Sequence, residues 1–289
     1  MTKTTISYKT KSILIEELSK QSNIEFLKEG NFFLNLFSKK KYADIYFHSG
    51  HLDDKSIENI KNSKITITNT FASMNQIIAK TKISHEKIKV IYPSINIEYK
   101  KIKEVKAKIC EELQIDLTSK IIFFTAKNIK SSGVKEFLDI CSSLTYEDFK
   151  IIIAAEKKQI AALQFQLPKY QNLKDKIILL ENYVNINDLF LASDIFLLPT
   201  YNKSFSTNIL KAMFSKCVVF LTLENDAKEI LDVFASLDSP TDSSAAFKID
   251  AILQGENDLK QIKEQNRKLA LEFTLENNLE KFNHILENV

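Results

Sequence analysis

Short apolar runs alternate with helix-like stretches along most of this 289-residue chain. The pattern predicts strands at 23–28, 44–47, 65–68, 89–92, 121–125, 150–154, 176–180, 195–198 and 218–221. Their β-branched, apolar character is that of strands covered on both faces. Between them the hydrophobic period lengthens to that of helices, as at 134–144, 161–166, 186–192 and 208–214. Asp188 and Asn208 are expected to cap or enter their helices. From Leu259 to Val289 the helical period continues without turn punctuation, which predicts one or two terminal helices. Strands alternating with helices imply repeated βα units and a parallel sheet. No internal repeat and no low-complexity tract interrupts the pattern.

A break falls near residues 95–118. Pro93 closes a strand, residues 96–108 form a charged linker or helix, and strong strand patterns resume at Ile121. The expected organisation is therefore an N-terminal domain over 1–95, a linker over 96–118, and a C-terminal domain over 119–289 that includes the terminal helices. The fold class is α/β, with parallel sheets flanked by helices.

Composition narrows the function classes. Hydrophobic residues make up 44% and charged residues 27%, the balance of an ordinary globular protein. A net charge of +3 gives no electrostatic footprint for nucleic acid. Cys110, Cys141 and Cys217 lie far apart without CxxC spacing, so reduced thiols in a cytoplasmic protein are expected. The opening MTKTTISYKTK has charge but no apolar core, so no secretory leader is expected there. No apolar run approaches the ~20 residues that span a bilayer. Residues 32–37 (FFLNLF) form the longest stretch that suggests a membrane contact, before Lys39, Lys40 and Lys41. They are expected to be a buried helix ending in solvated lysines, at most a peripheral membrane contact. The four histidines are scattered, so no metal site is expected, and no Walker loop or Gly-x-Ser-x-Gly elbow occurs. Only Gly30, Gly50, Gly133 and Gly255 are present, where an average of about 7% would give roughly twenty. Such a chain has few places for backbone to approach a phosphate closely.

The order of several motifs resembles a family. HEKIKVIYPSINIEYKK (85–101) is similar to the interdomain segment of GT-B glycosyltransferases of the family 4, retaining type. KIIFFTAKNIKSSGVKEFLDI (120–140) resembles the strand and loop that follow. DLFLASDIFLLPT (188–200) resembles the family's aspartate, apolar strand and Pro-Ser segment. NKSFSTNILKAMFSKCVVF (202–220) aligns with its donor-binding motif, and FTLENNLEKF (273–282) with its closing helix. The match covers roughly residues 60–289. It implies two Rossmann-like domains, the N-terminal one reduced and lacking the glycine-rich acceptor-side loop. His48 and His51, after the strand at 44–47, are the candidate remnants on the acceptor side.

The resemblance also implies a donor site, and the residues present depart from it. The family holds the donor diphosphate with an Arg/Lys pair, whose cations stabilise the leaving group. Here those positions read Lys127 and Ser132. The first is a point charge without the arginine fork, and the second carries no charge. The family holds ribose and sugar with two glutamates separated by seven residues, because carboxylates accept hydrogen bonds from hydroxyls. Here they read Lys203 and Lys211, which only donate. The glycines beside the first read Ser204 and Ser206, and Phe205 keeps the aromatic. The Gly-Asp turn after the strand at 150–154 reads Ala155 and Glu156, and the glycine after the strand at 176–180 reads Asn182. Glu229 matches. The scaffold positions Asp194, Pro199, Ala212 and Met213 match as well. Thr70 and Ser94 are expected to be capping hydroxyls.

Three readings follow. One is a non-catalytic glycosyltransferase-like scaffold, associated with a protein partner or an active paralogue. One is an active retaining enzyme moving a hexose from a UDP- or GDP-linked sugar to a bacterial surface glycan. The third is an anion-binding module whose old cleft is re-lined by Lys203 and Lys211. No cofactor is called for. The expected location is cytoplasmic, at most peripheral at the inner face of a membrane.

Overall fold

The computed structural model describes residues 3–27, 41–98, 100–231 and 236–287. Gly30, the apolar run at 32–37, Lys39 and Lys40 lie outside the described residues. The chain divides into two compact units, Met1–Asn96 with Phe273–Val289, and Ile97–Glu272.

The first unit opens with β1 (Thr4–Tyr8), α1 (Ile13–Leu18), β2 (Ile24–Phe26), β3 (Ile45–Phe47), α2 (Asp54–Asn62), β4 (Ile65–Thr68), α3 (Phe71–Thr81) and β5 (Ile88–Val90). The strands form one parallel sheet in the order β2-β1-β3-β4-β5. β1 escapes the hydrophobic pattern because TTISY holds one aliphatic residue. That residue, Ile6, is fully buried between Phe26 and Ile45 on the neighbouring strands. Alternation along β3 then divides the core. Ile45 and Phe47 face the cluster that contains Ile6 and Leu18, and Tyr46 faces Ile60, Met74 and Ile77. The hydroxyls and carboxylate of Ser12, Asp53 and Thr70 cap α1, α2 and α3 by accepting from Ile15, Ser56 and Ser73 amides. Thr70 caps as expected. Ser94 does not, since its Oγ accepts from Asn278 Nδ2 at 2.8 Å.

The second unit comprises α4 (Ile102–Leu113), β6 (Lys120–Thr125), α5 (Val134–Ser142), β7 (Phe149–Ala155), α6 (Lys157–Gln164), β8 (Ile177–Glu181), α7 (Ile186–Ala192), β9 (Ile195–Leu198), α8 (Thr207–Phe214), β10 (Val218–Thr222), β11 (Ser236–Leu237), α9 (Ala245–Gln254) and α10 (Glu256–Ala270). Its parallel sheet runs β11-β10-β9-β6-β7-β8. The central strands are buried on both faces, and Phe123 packs against Phe190 and Phe196 at 4.9 and 6.0 Å between ring centres. The three cysteines are free and buried.

The expected linker belongs to this unit. α4 packs on α7, Lys100 pairs with Asp188 at 2.6 Å, and Lys106 with Asp194 at 3.0 Å. Asp188 enters α7 in its first turn, as expected, and its carboxylate is committed to the pair with Lys100 rather than to a cap. Asn208 likewise enters α8 as its second residue, while Ser206 holds the cap position and accepts from the Asn208 amide. Asp194 is buried and also accepts from Lys263 at 2.8 Å and from the Ile121 amide at 3.1 Å. Burial alone would push its pKa up, but the Lys263 and Lys106 ammoniums hold it below the ordinary value.

α10 packs on α8, and α11 (Leu275–Leu286) then returns to the first unit. This corrects the expectation that both terminal helices close the C-terminal domain. The physical reason is the apolar face of α11. Its Phe282 is fully buried and stacks on Phe47 at 5.8 Å, with Leu275, Leu279 and Ile285 beside it. A backbone bridge from Ile95 to Thr274 seats the helix start.

Candidate functional site

The strand order of the second unit fixes where a ligand crevice can open. From β6 the chain adds β7 and β8 on one side, then crosses to add β9, β10 and β11 on the other. The connections after β6 and β9 therefore leave in opposite directions at the carboxyl ends of adjacent strands. That reversal is where open α/β sheets bind ligands.

The two loops are drawn together by backbone. Gly133 has φ +84°, and an added Cβ would stand 1.8 Å from the Pro199 carbonyl oxygen. Asn202 Nδ2 donates to Ser131 O at 3.2 Å and to Ser132 Oγ at 3.3 Å. The buried Ser132 hydroxyl thus braces the neighbouring loop. Gln159 clamps the β6 loop from below, accepting from the Ile129 amide at 2.8 Å and donating to Lys127 O at 3.0 Å. Lys127 itself is exposed. Tyr201 donates to Glu136 Oε1 at 3.0 Å.

The loop after β10 completes the group. Asn225 is buried, and its Nδ2 donates to Asn202 O and Ser204 O at 2.7 and 3.0 Å. Its Oδ1 accepts from the Ala227 amide, and the Asp226 amide donates to Lys203 O at 2.7 Å. The exposed Lys203 ammonium lies 3.9 Å from Glu224. Phe205 is buried, and Ser206 caps α8. Glu229 is exposed on the short turn Asp226–Ile230. Burial and the nearby Glu229 push the Asp226 pKa up. Lys127, Ser132, Lys203, Ser204, Phe205, Ser206 and Glu229 thus belong to one group of connected loops.

Lys211 lies one turn into α8. Ile209, Leu210, Ala212 and Met213 face the core. The outward stripe of the helix holds Asn208 and Lys211, three residues apart and therefore on one face. Asn208 Nδ2 donates to Thr125 O at the carboxyl end of β6, at 3.3 Å. Lys211 is half-buried, and burial lowers its pKa. Asn182, after β8, has φ 49°, a left-handed conformation that asparagine tolerates in place of glycine.

The first unit has its own reversal, between β1 and β3. His48 follows β3, is 3% exposed, and its Nδ1 has no hydrogen-bond partner among the described residues. Burial and the Lys9 ammonium depress its pKa to about 4, so it is neutral at pH 7. Lys9 Nζ donates to Asp53 Oδ2 at 2.7 Å, to Ser56 Oγ at 3.1 Å and to the His51 carbonyl. The His51 ring is exposed, so this residue joins the cluster through its backbone.

The sequence reading missed Asn202, Asn225, Gln159, Lys9 and the work of Gly133. One signal was available: Gly133 is the single glycine in the loop after β6, in a chain with four. The amide clamps left none, because an asparagine in a loop looks the same whether solvated or buried. Among the described residues no group of histidine, cysteine, aspartate and glutamate has the makings of a metal site. No described helix is long and apolar enough to cross a membrane.

The family profile described as Glycosyl transferases group 1 matches residues 105–269. No curated protein matches in sequence. The fold is similar to that of Anabaena HepE in complex with UDP-glucose, at 16% identity and a TM-score of 0.72, covering 85% of this chain and 72% of that one. A glycosyltransferase from Rickettsia africae shares 18% identity with a TM-score of 0.74, covering 98% and 89%. Sucrose-phosphate synthase from Thermosynechococcus elongatus shares 11% with a TM-score of 0.70, covering 94% and 70%. The GT-B architecture expected from the motifs is thus the observed one: two parallel sheets flanked by helices.

Proposed function

The chain belongs to the Glycosyl transferases group 1 family, and from that premise we propose a glycosyltransferase-like protein that turns over no nucleotide sugar and serves as a scaffold or partner subunit. The observation that supports this is the chemistry at the switch point of the second unit. A sugar nucleotide presents diols, which need acceptors. The two positions expected to accept are Lys203 and Lys211, and the expected second cation is Ser132, whose hydroxyl is bonded to Asn202. A hydrogen bond to a charged group contributes about 1.5–3 kcal/mol. Two missing carboxylates therefore correspond to roughly 3–6 kcal/mol of lost recognition. Lys127 remains as one exposed point charge, which offers less transition-state stabilisation than a preorganised pair.

On this reading the protein works in the cytoplasm, with at most peripheral membrane contact, beside a protein partner or an active paralogue. The test is release of nucleoside diphosphate from UDP- and GDP-hexoses, with thermal denaturation in the same ligands. A ligand at 100 times its Kd stabilises the folded state by about 2.7 kcal/mol. The expected result is no turnover and no nucleotide-dependent shift. Turnover that disappears in Lys127→Ala overturns the proposal in favour of an active nucleotide-sugar-dependent transferase.

A further inference from the structure

Of the four edges of the two sheets, three are blunted. β2 and β5 have three residues each, with Glu25 or Lys89 exposed in the middle, and β11 has two. Short strands and a central charge keep an open edge from pairing with another chain. β8 has neither protection. It is an outer strand of the second sheet and reads IILLE over five residues. Ile177, Ile178, Leu179 and Leu180 are half-buried, whereas every residue of the inner strand β9 is buried. The two most exposed large hydrophobic residues among those described flank it. Phe165, 86% exposed, closes α6, and Val184, 90% exposed, follows β8. Lys157, the first residue of α6, stands 4.0 Å from Glu181 at the carboxyl end of β8. α6 therefore runs back along β8, with Phe165 toward the amino end.

The backbone says what the edge accepts. The Ile151 amide donates to Lys176 O at 2.8 Å, and the Asn182 amide donates to Ala155 O at 2.9 Å. Backbone groups alternate in direction along a strand, so Lys176, Ile178, Leu180 and Asn182 turn theirs toward β7. Ile177, Leu179 and Glu181 turn their N–H and C=O groups outward. Those outward groups have no hydrogen-bond partner among the described residues. In an antiparallel pair, outward-turned residues must face outward-turned residues. A two-fold axis at Leu179 meets that condition for β8 against itself. It sets Leu179 against Leu179 and Ile177 against Glu181 in both directions, with no outward group left over. Ile178 then faces Leu180, and Lys176 faces Asn182, so no two like charges stand opposite. A shift toward the amino end would set Glu181 against Asp175, whose carbonyl already accepts from Lys150. The same axis turns the end of one α6 that carries the exposed Lys157 and Lys158 toward the Phe165 end of the other, cations toward an aromatic ring.

We propose that β8 is an interaction surface for a second copy of this chain, the two second-unit sheets joining antiparallel across a two-fold axis at Leu179. Self-complementary two-fold contacts are the commonest mode of assembly, and adding a strand to an open edge satisfies main-chain groups and covers aliphatic side chains together. The dimer goes beyond the non-catalytic reading and does not rest on it, since its measurement is oligomeric state and not turnover.

The test is sedimentation velocity of the full chain over a concentration series, with cysteine cross-linking to read the register. The wild type is expected to dimerise, and Leu179→Lys to raise the dissociation constant roughly ten-fold or more, because it sets two ammoniums face to face at the axis. Leu179→Cys places its two α-carbons about 5.5 Å apart across the axis, within disulfide reach, and is expected to cross-link on mild oxidation. Glu181→Cys is the control, because the two-fold separates its copies by four residues of strand, roughly 13 Å. The native cysteines are buried and give no background. If Leu179→Lys does not fold, the cross-linking pair decides. A wild type that stays monomeric throughout overturns the proposal and leaves the edge to a strand of another protein. A dimer that Leu179→Lys does not weaken, or cross-linking of Glu181→Cys as fast as that of Leu179→Cys, overturns it as well.

Discussion

Gly133→Ala probes the close approach that builds the crevice of the second unit. Gly133 sits at φ +84°, and the new Cβ would lie 1.8 Å from Pro199 O and 2.8 Å from its carbonyl carbon. Alanine in a left-handed conformation costs about 1–2 kcal/mol. The clash adds to this, because both opposing atoms are backbone and cannot rotate away. Relief requires the loop after β9 to retreat by more than an ångström. That breaks the Asn202 bonds to Ser131 and Ser132, at 3.2 and 3.3 Å, each contributing about 1 kcal/mol. The expected loss is therefore roughly 3–4 kcal/mol. Gly50→Ala is the internal control. Its φ is +71°, but nothing lies within 4 Å of the added Cβ, so only the backbone cost of about 1–2 kcal/mol applies. Urea unfolding read by hydrogen exchange reports each unit separately. A Gly133→Ala loss no larger than that of Gly50→Ala would refute the claim that backbone contact pins the two loops.

Two further perturbations test the first unit. His48 binds its proton only below about pH 4 when folded and near 6.5 when unfolded. The unfolded chain thus holds more protons between these values, and stability falls as pH drops from about 6.5 toward 4, by up to about 3 kcal/mol. His48→Gln is expected to flatten that part of the pH profile in equilibrium unfolding, and an unchanged slope would count against the buried neutral histidine. Phe282→Ala removes a fully buried ring stacked on Phe47 and is expected to cost about 3–5 kcal/mol. Exchange should quicken in the amides of β1, β3 and β4, and quickening confined to 97–272 would contradict the placement of α11.

What the sequence determined alone was the parallel α/β architecture and the extent of the strands with several consecutive apolar residues. Ile195–Leu198 falls at the read position because a strand covered on both faces is apolar at every residue. The same logic hid β1, since TTISY is held centrally by its neighbours on either side and not by its own hydrophobicity. The motif order also located the loops after β6, β9 and β10, because βα units place each loop at the carboxyl end of its strand. Tertiary structure alone decided where α11 goes, because an amphipathic helix specifies that it needs an apolar partner and not which one. It also decided what each polar loop residue does. Asn202 and Asn225 became clamps, Ser132 a brace, and Lys203 the partner of Glu224. Chain order carries the identity of a donor or a charge, while its function depends on the groups that folding brings within about 3–4 Å.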